Sequence, residues 1–240
     1  MTPGICVRDL GFRYGARTAL DGVGFDVPAG TFAALLGPNG AGKSTLFGLL
    51  TRLFTTPTGQ IIIAGHDLTQ APRAALAAMG VVFQQSTLDL DLSVRRNLSY
   101  FAALHGLAGR EAGRRIDAAL DRLGMAERAG ERVRALNGGH RRRTEIARAL
   151  LHDPAVLLLD EPTVGLDAAS RDAITAHVHD LAAERGLTVL WATHLTDEIA
   201  PADRLLILHQ GKLIADGQAG EIAGARGLTK TFLRLTGQAA

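Results

Sequence analysis

A glycine-rich segment near the start of the chain constrains its fold more than any other feature. Residues 37–45 read Gly-Pro-Asn-Gly-Ala-Gly-Lys-Ser-Thr, which fits a glycine, four free positions and then Gly-Lys-Ser. Glycines let a backbone turn tightly, so that successive N–H groups point inward at bound phosphates. The apolar run 31–36 predicts a short buried strand before this loop, and residues 44–53 predict the helix after it. The segment therefore predicts a phosphate-binding loop between a strand and a helix.

The same segment supplies the groups that a nucleotide triphosphate needs. A helix that starts near Gly42 adds the positive end of its dipole, and Lys43 can reach the β- and γ-phosphates. The Ser44 hydroxyl is placed for Mg²⁺. The nucleotide-binding residues predicted from this loop are Gly37, Pro38, Asn39, Gly40, Ala41, Gly42, Lys43, Ser44 and Thr45.

A second motif adds hydrolytic chemistry. The run Leu-Leu-Leu-Asp-Glu at 157–161 places Asp160 at the end of an apolar strand, where it can hold Mg²⁺. Glu161 beside it is free to orient and deprotonate an attacking water, a base that a nucleotide kinase does not need. A GTPase would also carry an Asn-Lys-x-Asp guanine reader, and the sequence has none. The two motifs together predict a P-loop protein that hydrolyses ATP.

The rest of the chain predicts an α/β fold. Short β-rich runs alternate with helical periodicity, which favours a mostly parallel sheet with helices on its faces. The 240 residues, 47% of them hydrophobic, suffice for one large domain or two small ones. Between residues 88 and 151 helical spacing replaces the strand signal, with Ile116, Leu120 and Leu123 on one face. The predicted strands are 5–10, 31–36, 60–63, 80–83, 156–159, 188–192 and 205–208, with a turn at Gln210-Gly211 leading into 212–215.

Bulk properties bear on location and partners. The longest apolar runs fall far short of the roughly 18 residues that span a bilayer, and no signal sequence is recognisable, so we expect a cytoplasmic protein. A single cysteine, Cys6, excludes an internal disulfide framework. The net charge of +2 argues against general nucleic-acid binding. The basic triplet 141–143 is therefore expected to stay solvated or to form ion pairs.

The run Leu-Asn-Gly-Gly-His at 136–140 resembles the Leu-Ser-Gly-Gly-Gln signature of ATP-binding cassette (ABC) ATPases, and it lies just ahead of the second carboxylate motif. The resemblance spans nearly the whole chain. It implies adenine stacking by Tyr14, a link from Mg²⁺ and water to the helical region by Gln84, a dimer contact by Asp167, and a γ-phosphate contact by His194. Taken alone, each of these four residues has an ordinary packing or solvation explanation. Their order along the chain, with both nucleotide motifs, favours the functional interpretation.

The resemblance also implies an architecture and a dimer. It predicts a single ABC ATPase domain over 1–240, with a RecA-like core and an N-terminal antiparallel β subdomain in 1–86 and 152–240, and a helical signature subdomain in 87–151. In a head-to-tail homodimer that sandwiches two ATP molecules, Gly138 and Gly139 would present backbone N–H groups to the γ-phosphate of the other subunit. Asn137 and His140 stand where serine and glutamine are usual. Asparagine can donate through its amide and is a good N-cap. Because both glycines and Glu161 remain, we expect an active ATPase.

An ABC ATPase of this size resembles the separate ATP-binding subunit of a transporter, peripheral on the inner face of the membrane and docked on an integral membrane permease. Leu88, Leu90, Leu92 and Phe101 would line the docking groove or, with equal weight, pack in the core. Residues 88–107 resemble ABC-2 type exporter ATPases, and 136–151 resemble a subgroup associated with PQQ-dependent alcohol dehydrogenase systems. The alternatives are a soluble ABC ATPase acting on translation or DNA, and a nucleotide-dependent regulator with little or no hydrolysis.

Overall fold

The computed structural model describes residues 3–237, which form two β-sheets and the helices around them. The strands are β1 Pro3–Tyr14, β2 Arg17–Pro28, β3 Phe32–Leu36, β4 Gln60–Ile63, β5 His66–Asp67, β6 Met79–Val82, β7 Val156–Asp160, β8 Thr188–Thr193, β9 Arg204–His209 and β10 Lys212–Gln218. The helices are α1 Lys43–Leu50, α2 Pro72–Ala77, α3 Val94–Leu104, α4 Gly109–Arg122, α5 Gly138–Ala149, α6 Ala168–Arg185, α7 Ala219–Ala223 and α8 Leu228–Leu235.

The central sheet has the order β10-β9-β3-β8-β7-β6 and is parallel except for β10, which pairs antiparallel with β9. Every residue of β3, β7 and β8 is buried, as expected for parallel strands covered on both faces. Because the carboxyl ends of these strands meet at one edge, the segments that follow β3, β7 and β8 lie close together there. The predicted α/β fold with a mostly parallel sheet is confirmed.

The second sheet is antiparallel, with the order β2-β1-β4-β5, and it corresponds to the expected N-terminal β subdomain. Its strand β2 was not among the predicted strands. The β1–β2 ladder shifts register several times, and both Asp9 and Gly22 have positive φ near these shifts. Bulges of this kind break the alternation of apolar and polar residues on which strand prediction depends.

Two apolar clusters cover the faces of the central sheet. One holds Ala33 and Leu35 of β3 together with α1 and the antiparallel sheet. The other holds Ala34 and Leu36 together with the helices of residues 88–151 and with α6. The predicted apolar face of the helical region, Ile116, Leu120 and Leu123, is buried in this second cluster. The helical region thus packs directly on the sheet that carries the loops described below.

The predicted element ends need small corrections. The first helix runs only to Leu50 instead of residue 53, because Thr51 caps it, Arg52 has a φ of 59°, and Leu53 is 67% exposed. Most predicted strands are right to within one or two residues, and Gln210-Gly211 forms the turn between β9 and β10. In the described part of the chain, no helix has both the length and the apolar character needed to cross a bilayer.

Candidate functional site

The loop between β3 and α1 has the backbone geometry that a phosphate cradle requires. Gly42 caps α1 with a φ of 112°, and a Cβ atom there would lie 2.8 Å from the backbone oxygen of Ala19. Gly40 also has a positive φ, of 81°. Since side chains other than glycine rarely adopt such angles, these two positions depend on glycine.

The loop forms the floor of a cavity of about 510 Å³. Ten of the predicted site residues line this cavity: Tyr14, Pro38, Asn39, Gly40, Gly42, Lys43, Ser44, Thr45, Gln84 and Glu161. Gly37 and Ala41 are buried parts of the loop that do not line the cavity, and the Gly37 oxygen accepts from Lys43 Nζ at 2.6 Å. Their part in the site is to shape the backbone.

The cavity is also lined by five residues that the sequence did not indicate as site residues, namely Arg17, Thr18, Ala19, Gln210 and Gly211. The first three begin the strand that was not predicted. The turn at 210–211 was predicted, but its position against the loop follows from a tertiary hydrogen bond of 2.9 Å from the Gly211 N–H to the Ala41 oxygen. No local pattern in the sequence signals that contact.

Lys43 is buried and held by the loop itself. Its Nζ donates to the oxygens of Gly37 and Pro38 and forms an ion pair of 3.1 Å with Glu161 Oε1. The ammonium is thus fixed over the loop, beside the predicted base.

Asp160 has the surroundings expected of a cation ligand. The residue is 7% exposed, and its Oδ1 atom has no hydrogen-bond partner among the described residues. Burial raises the pKa of this carboxyl to about 6, with a further rise from Glu161, while Lys43 and the Ser44 side chain lower it. An unpartnered buried carboxylate oxygen beside a hydroxyl suits a hard divalent cation, so Ser44 and Asp160, with the exposed Gln84 at the cavity edge, fit Mg²⁺.

Glu161 lies between Lys43 and His194. Its backbone has a φ of 46°, and its N–H donates to the Ala192 oxygen at 2.9 Å, which directs the side chain into the cavity. Glu161 Oε2 lies 3.4 Å from His194 Nδ1. A non-glycine residue with positive φ is uncommon and costs conformational energy, so the surrounding contacts must hold Glu161 in this conformation.

Tyr14 lies at the side of the cavity, and its side chain is 48% exposed. Its hydroxyl is 3.5 Å from Thr45 Oγ1, and its ring packs edge-on against Phe12 with centroids 4.9 Å apart. These contacts fix the ring while leaving much of its surface accessible.

The signature segment lies at the start of α5. Asn137 is the N-cap, with Oδ1 accepting from the His140 N–H at 2.9 Å, and its amide nitrogen has no acceptor among residues 3–237. A Cβ on Gly138 would lie 2.9 Å from Leu166 Cδ2, and one on Gly139 would lie 3.0 Å from Ser170 Oγ. The glycines therefore allow a close approach to the segment that leads into α6 and to the first turn of that helix.

Asp167 lies in that neighbouring segment. It caps α6, accepting from the Ser170 N–H at 2.9 Å and from its hydroxyl at 2.7 Å, and these bonds lower the pKa of Asp167. The fold brings Asp167 and the signature residues together. Among the described residues that line the cavity over the loop, there is none from 137–140, and Asp167 is not one of them either.

Glu198 is a further residue that the sequence did not indicate. Its buried carboxylate accepts from the Thr163 hydroxyl and, at 3.0 Å, from Trp191 Nε1. Thr163 is two residues after Glu161, and Glu198 is four after His194, so the contact ties together the two segments that carry these groups.

Comparisons with known proteins give a consistent result. A family model described as "ABC transporter" matches residues 20–164. The chain is 40% identical over 216 residues to the daunorubicin resistance ATP-binding protein DrrA3 of Streptomyces coeruleorubidus, covering 90% of this chain and 68% of that protein. It is 39% identical over 218 residues to the Nod factor export ATP-binding protein I of Rhizobium meliloti, covering 90% of this chain and 65% of the relative.

Among solved structures, cbiO1 of Clostridium perfringens, described as part of the ABC transporter complex cbiONQ, superimposes with a TM-score of 0.87 at 28% identity. The superposition covers 98% of this chain and 96% of that one.

Proposed function

Since this chain belongs to the ABC transporter family as an ATP-binding and ATP-hydrolysing protein, we propose that it works as a homodimer that powers export through a separate integral membrane permease. Membership of the family confirms the resemblance and the ATPase activity that the sequence predicted. The subunit arrangement, the metal and the direction of transport belong to the proposal.

The proposed homodimer is supported by the separation of two groups of site residues. Lys43 and Glu161 form an ion pair in the lining of an open cavity, while the signature residues at the start of α5 lie away from it. The N-terminus of a helix offers unpaired N–H groups and a positive dipole end, which suit a phosphate. A second copy, placed head to tail, would bring Asn137, Gly138 and Gly139 over the γ-phosphate and shield it from bulk solvent.

The roles of the site residues follow from their chemistry. The loop N–H groups and Lys43 bind the phosphates, and Tyr14 stacks on the adenine. Ser44, Asp160 and Gln84 would hold Mg²⁺, which would supply positive charge to the phosphates. Glu161 orients and deprotonates the attacking water, and His194 contacts the γ-phosphate.

The permease would dock on the helical region. Leu90, Tyr100 and Leu104 are exposed there, whereas Leu88 is buried in the core and Leu92 and Phe101 are half-buried. For Leu88 the core-packing alternative therefore applies. Docking on a permease would place the protein on the inner face of the membrane.

The names of the relatives support export, since one is described as a Nod factor export ATP-binding protein. The likeness to the alcohol dehydrogenase-associated subgroup stays a prediction.

Glu161→Gln tests the proposed ATP sandwich against a regulator without turnover. We expect the variant to lose hydrolysis and to run as a dimer in Mg-ATP and as a monomer without nucleotide, measured by size-exclusion chromatography with light scattering. Glu184→Gln, at an exposed position on α6, is the matched control and should behave as the wild type. A variant that binds ATP yet stays monomeric would contradict the sandwich, and a wild-type protein without turnover would favour the regulator.

A further inference from the structure

A cluster of buried charges fastens α5 to the chain segment that carries Gln84. Arg142, Glu145 and Arg148 follow one another at intervals of three residues along α5, and they are 8%, 2% and 7% exposed. The basic triplet 141–143 was expected to be solvated or paired, and Arg142 is paired but buried. Burying three ionisable side chains on one helix costs folding free energy unless each has hydrogen-bond or charge partners.

The partners lie on one short segment, residues 81–87. Arg142 donates to the oxygens of Phe83 and Gln84 at 2.8 and 3.0 Å. Arg148 donates to the Val81 oxygen at 2.8 Å and to the Thr87 hydroxyl, and Glu145 accepts from the Thr87 N–H at 3.1 Å. Because β6 is the outermost strand of the sheet, α5 side chains satisfy backbone groups that no further strand pairs.

The charges also satisfy one another. Arg142 pairs with Glu145 at 2.6 Å, and the Arg148 guanidinium lies 4.6 Å from the centre of the Phe101 ring. Burial lowers the pKa of both arginines, and Glu145 opposes that effect. Removing one member would leave a buried charge without compensation, so the cluster holds α5 and the segment together as a unit.

This attachment joins the two halves of the proposed catalytic arrangement. Gln84 lines the cavity over the phosphate loop, and its backbone oxygen accepts from Arg142. Arg142 in turn lies five residues after Asn137, about 7 Å along the helix axis at 1.5 Å per residue.

We propose that Arg142, Glu145 and Arg148 are positioning residues through which the Gln84 segment and the signature helix move together. Nucleotide contact at Gln84 in one subunit then sets where Asn137 and the paired glycines are presented to the second copy. This inference rests on the proposed function, because it requires the homodimer and the role of Gln84 at the nucleotide.

Arg142→Met tests the proposal, because it keeps the apolar stem and removes the bonds to Phe83 and Gln84. We expect kcat for ATP hydrolysis to fall about 10- to 100-fold, as for a catalytic group displaced by about 1 Å. Binding of ATP to the separated subunit should be unchanged, because the loop and Lys43 are intact. The control is Arg114→Met, which removes the exposed i,i+3 pair with Glu111 and should leave kcat at the wild-type value.

A double-variant cycle with Gln84→Ala separates positioning from general stability. If the cluster acts through Gln84, the double variant is no slower than the slower single variant. Losses that multiply would overturn the proposal, as would wild-type kcat in Arg142→Met. If Arg142→Met does not fold, Glu145→Gln replaces it, since it keeps an acceptor for the Thr87 N–H at the same volume. For it we expect a loss of about 3- to 10-fold, and an unchanged kcat would again overturn the proposal.

Failure of the proposed function would look different. A wild-type protein that neither dimerises in Mg-ATP nor hydrolyses it would remove the dimer itself, whatever the variants do. A wild-type protein that does both, beside an Arg142→Met protein with the same kcat, would remove only the positioning role.

Discussion

At the scale of single residues, Asp160 is a carboxyl group whose ionised form is disfavoured by its burial. Burial and the neighbouring Glu161 raise its pKa from 3.8 to about 6. Well below pH 3.8, the carboxyl is protonated in both the folded and the unfolded chain and costs little. Between about pH 4 and 6 the unfolded chain loses this proton first, so the free energy of unfolding falls as the pH rises. Above pH 6 the full cost applies, on the order of 2–3 kcal/mol.

Asp160→Asn should therefore stabilise the nucleotide-free protein while abolishing Mg²⁺-dependent hydrolysis. We expect the melting temperature in EDTA to exceed that of the wild type at pH 7.5, and the difference to shrink as the pH approaches 4. Thermal melts across this pH range provide the measurement. A variant that melts at or below the wild-type temperature at pH 7.5 would show that ionised Asp160 is not a burden to the fold.

At the scale of elements, the sequence predicted what local patterns encode. The phosphate loop and the Asp160-Glu161 pair follow apolar strands, so the carboxyl edge of a parallel sheet brings them together. Strand β2 was not predicted because bulges near Gly22 break its alternation of apolar and polar residues. The burial of Arg142 was not predicted because a basic triplet is typical of a solvated surface. Its partners Phe83 and Gln84 are also 59 and 58 residues away in sequence.

Glu198 joins the segments that follow β7 and β8, so its removal should loosen both of them. Glu198→Ala would leave the Thr163 hydroxyl and Trp191 Nε1 without this acceptor in the core, and we expect a loss of about 2–4 kcal/mol in the free energy of unfolding. Because these segments carry Glu161 and His194, kcat should fall while KM for ATP stays near the wild-type value. Denaturant melts and steady-state kinetics are the measurements. Exposed Glu221→Ala is the control, and wild-type stability in Glu198→Ala would contradict the link.

At the scale of the whole molecule, the proposed homodimer would make each chain depend on a second copy for a complete site. The cavity of one subunit supplies Lys43 and Glu161, and the start of α5 in the second copy is proposed to supply the cover. A two-fold arrangement repeats this pairing twice, so each composite site draws on both chains. Two chains damaged in different halves should therefore complement each other.

Lys43→Ala removes phosphate binding from one chain. Asn137→Asp, in the other, keeps the oxygen that caps α5 but replaces the amide donor with a negative charge facing the γ-phosphate. Each variant alone should be nearly inactive, whereas an equal mixture should regain about a quarter of the wild-type rate, since half of the dimers are mixed and each has one intact site. ATP turnover of the mixture against total protein is the measurement, with unchanged melting temperatures of both variants as the control. If the mixture is no faster than the sum of its parts, the cavity and its cover belong to the same chain.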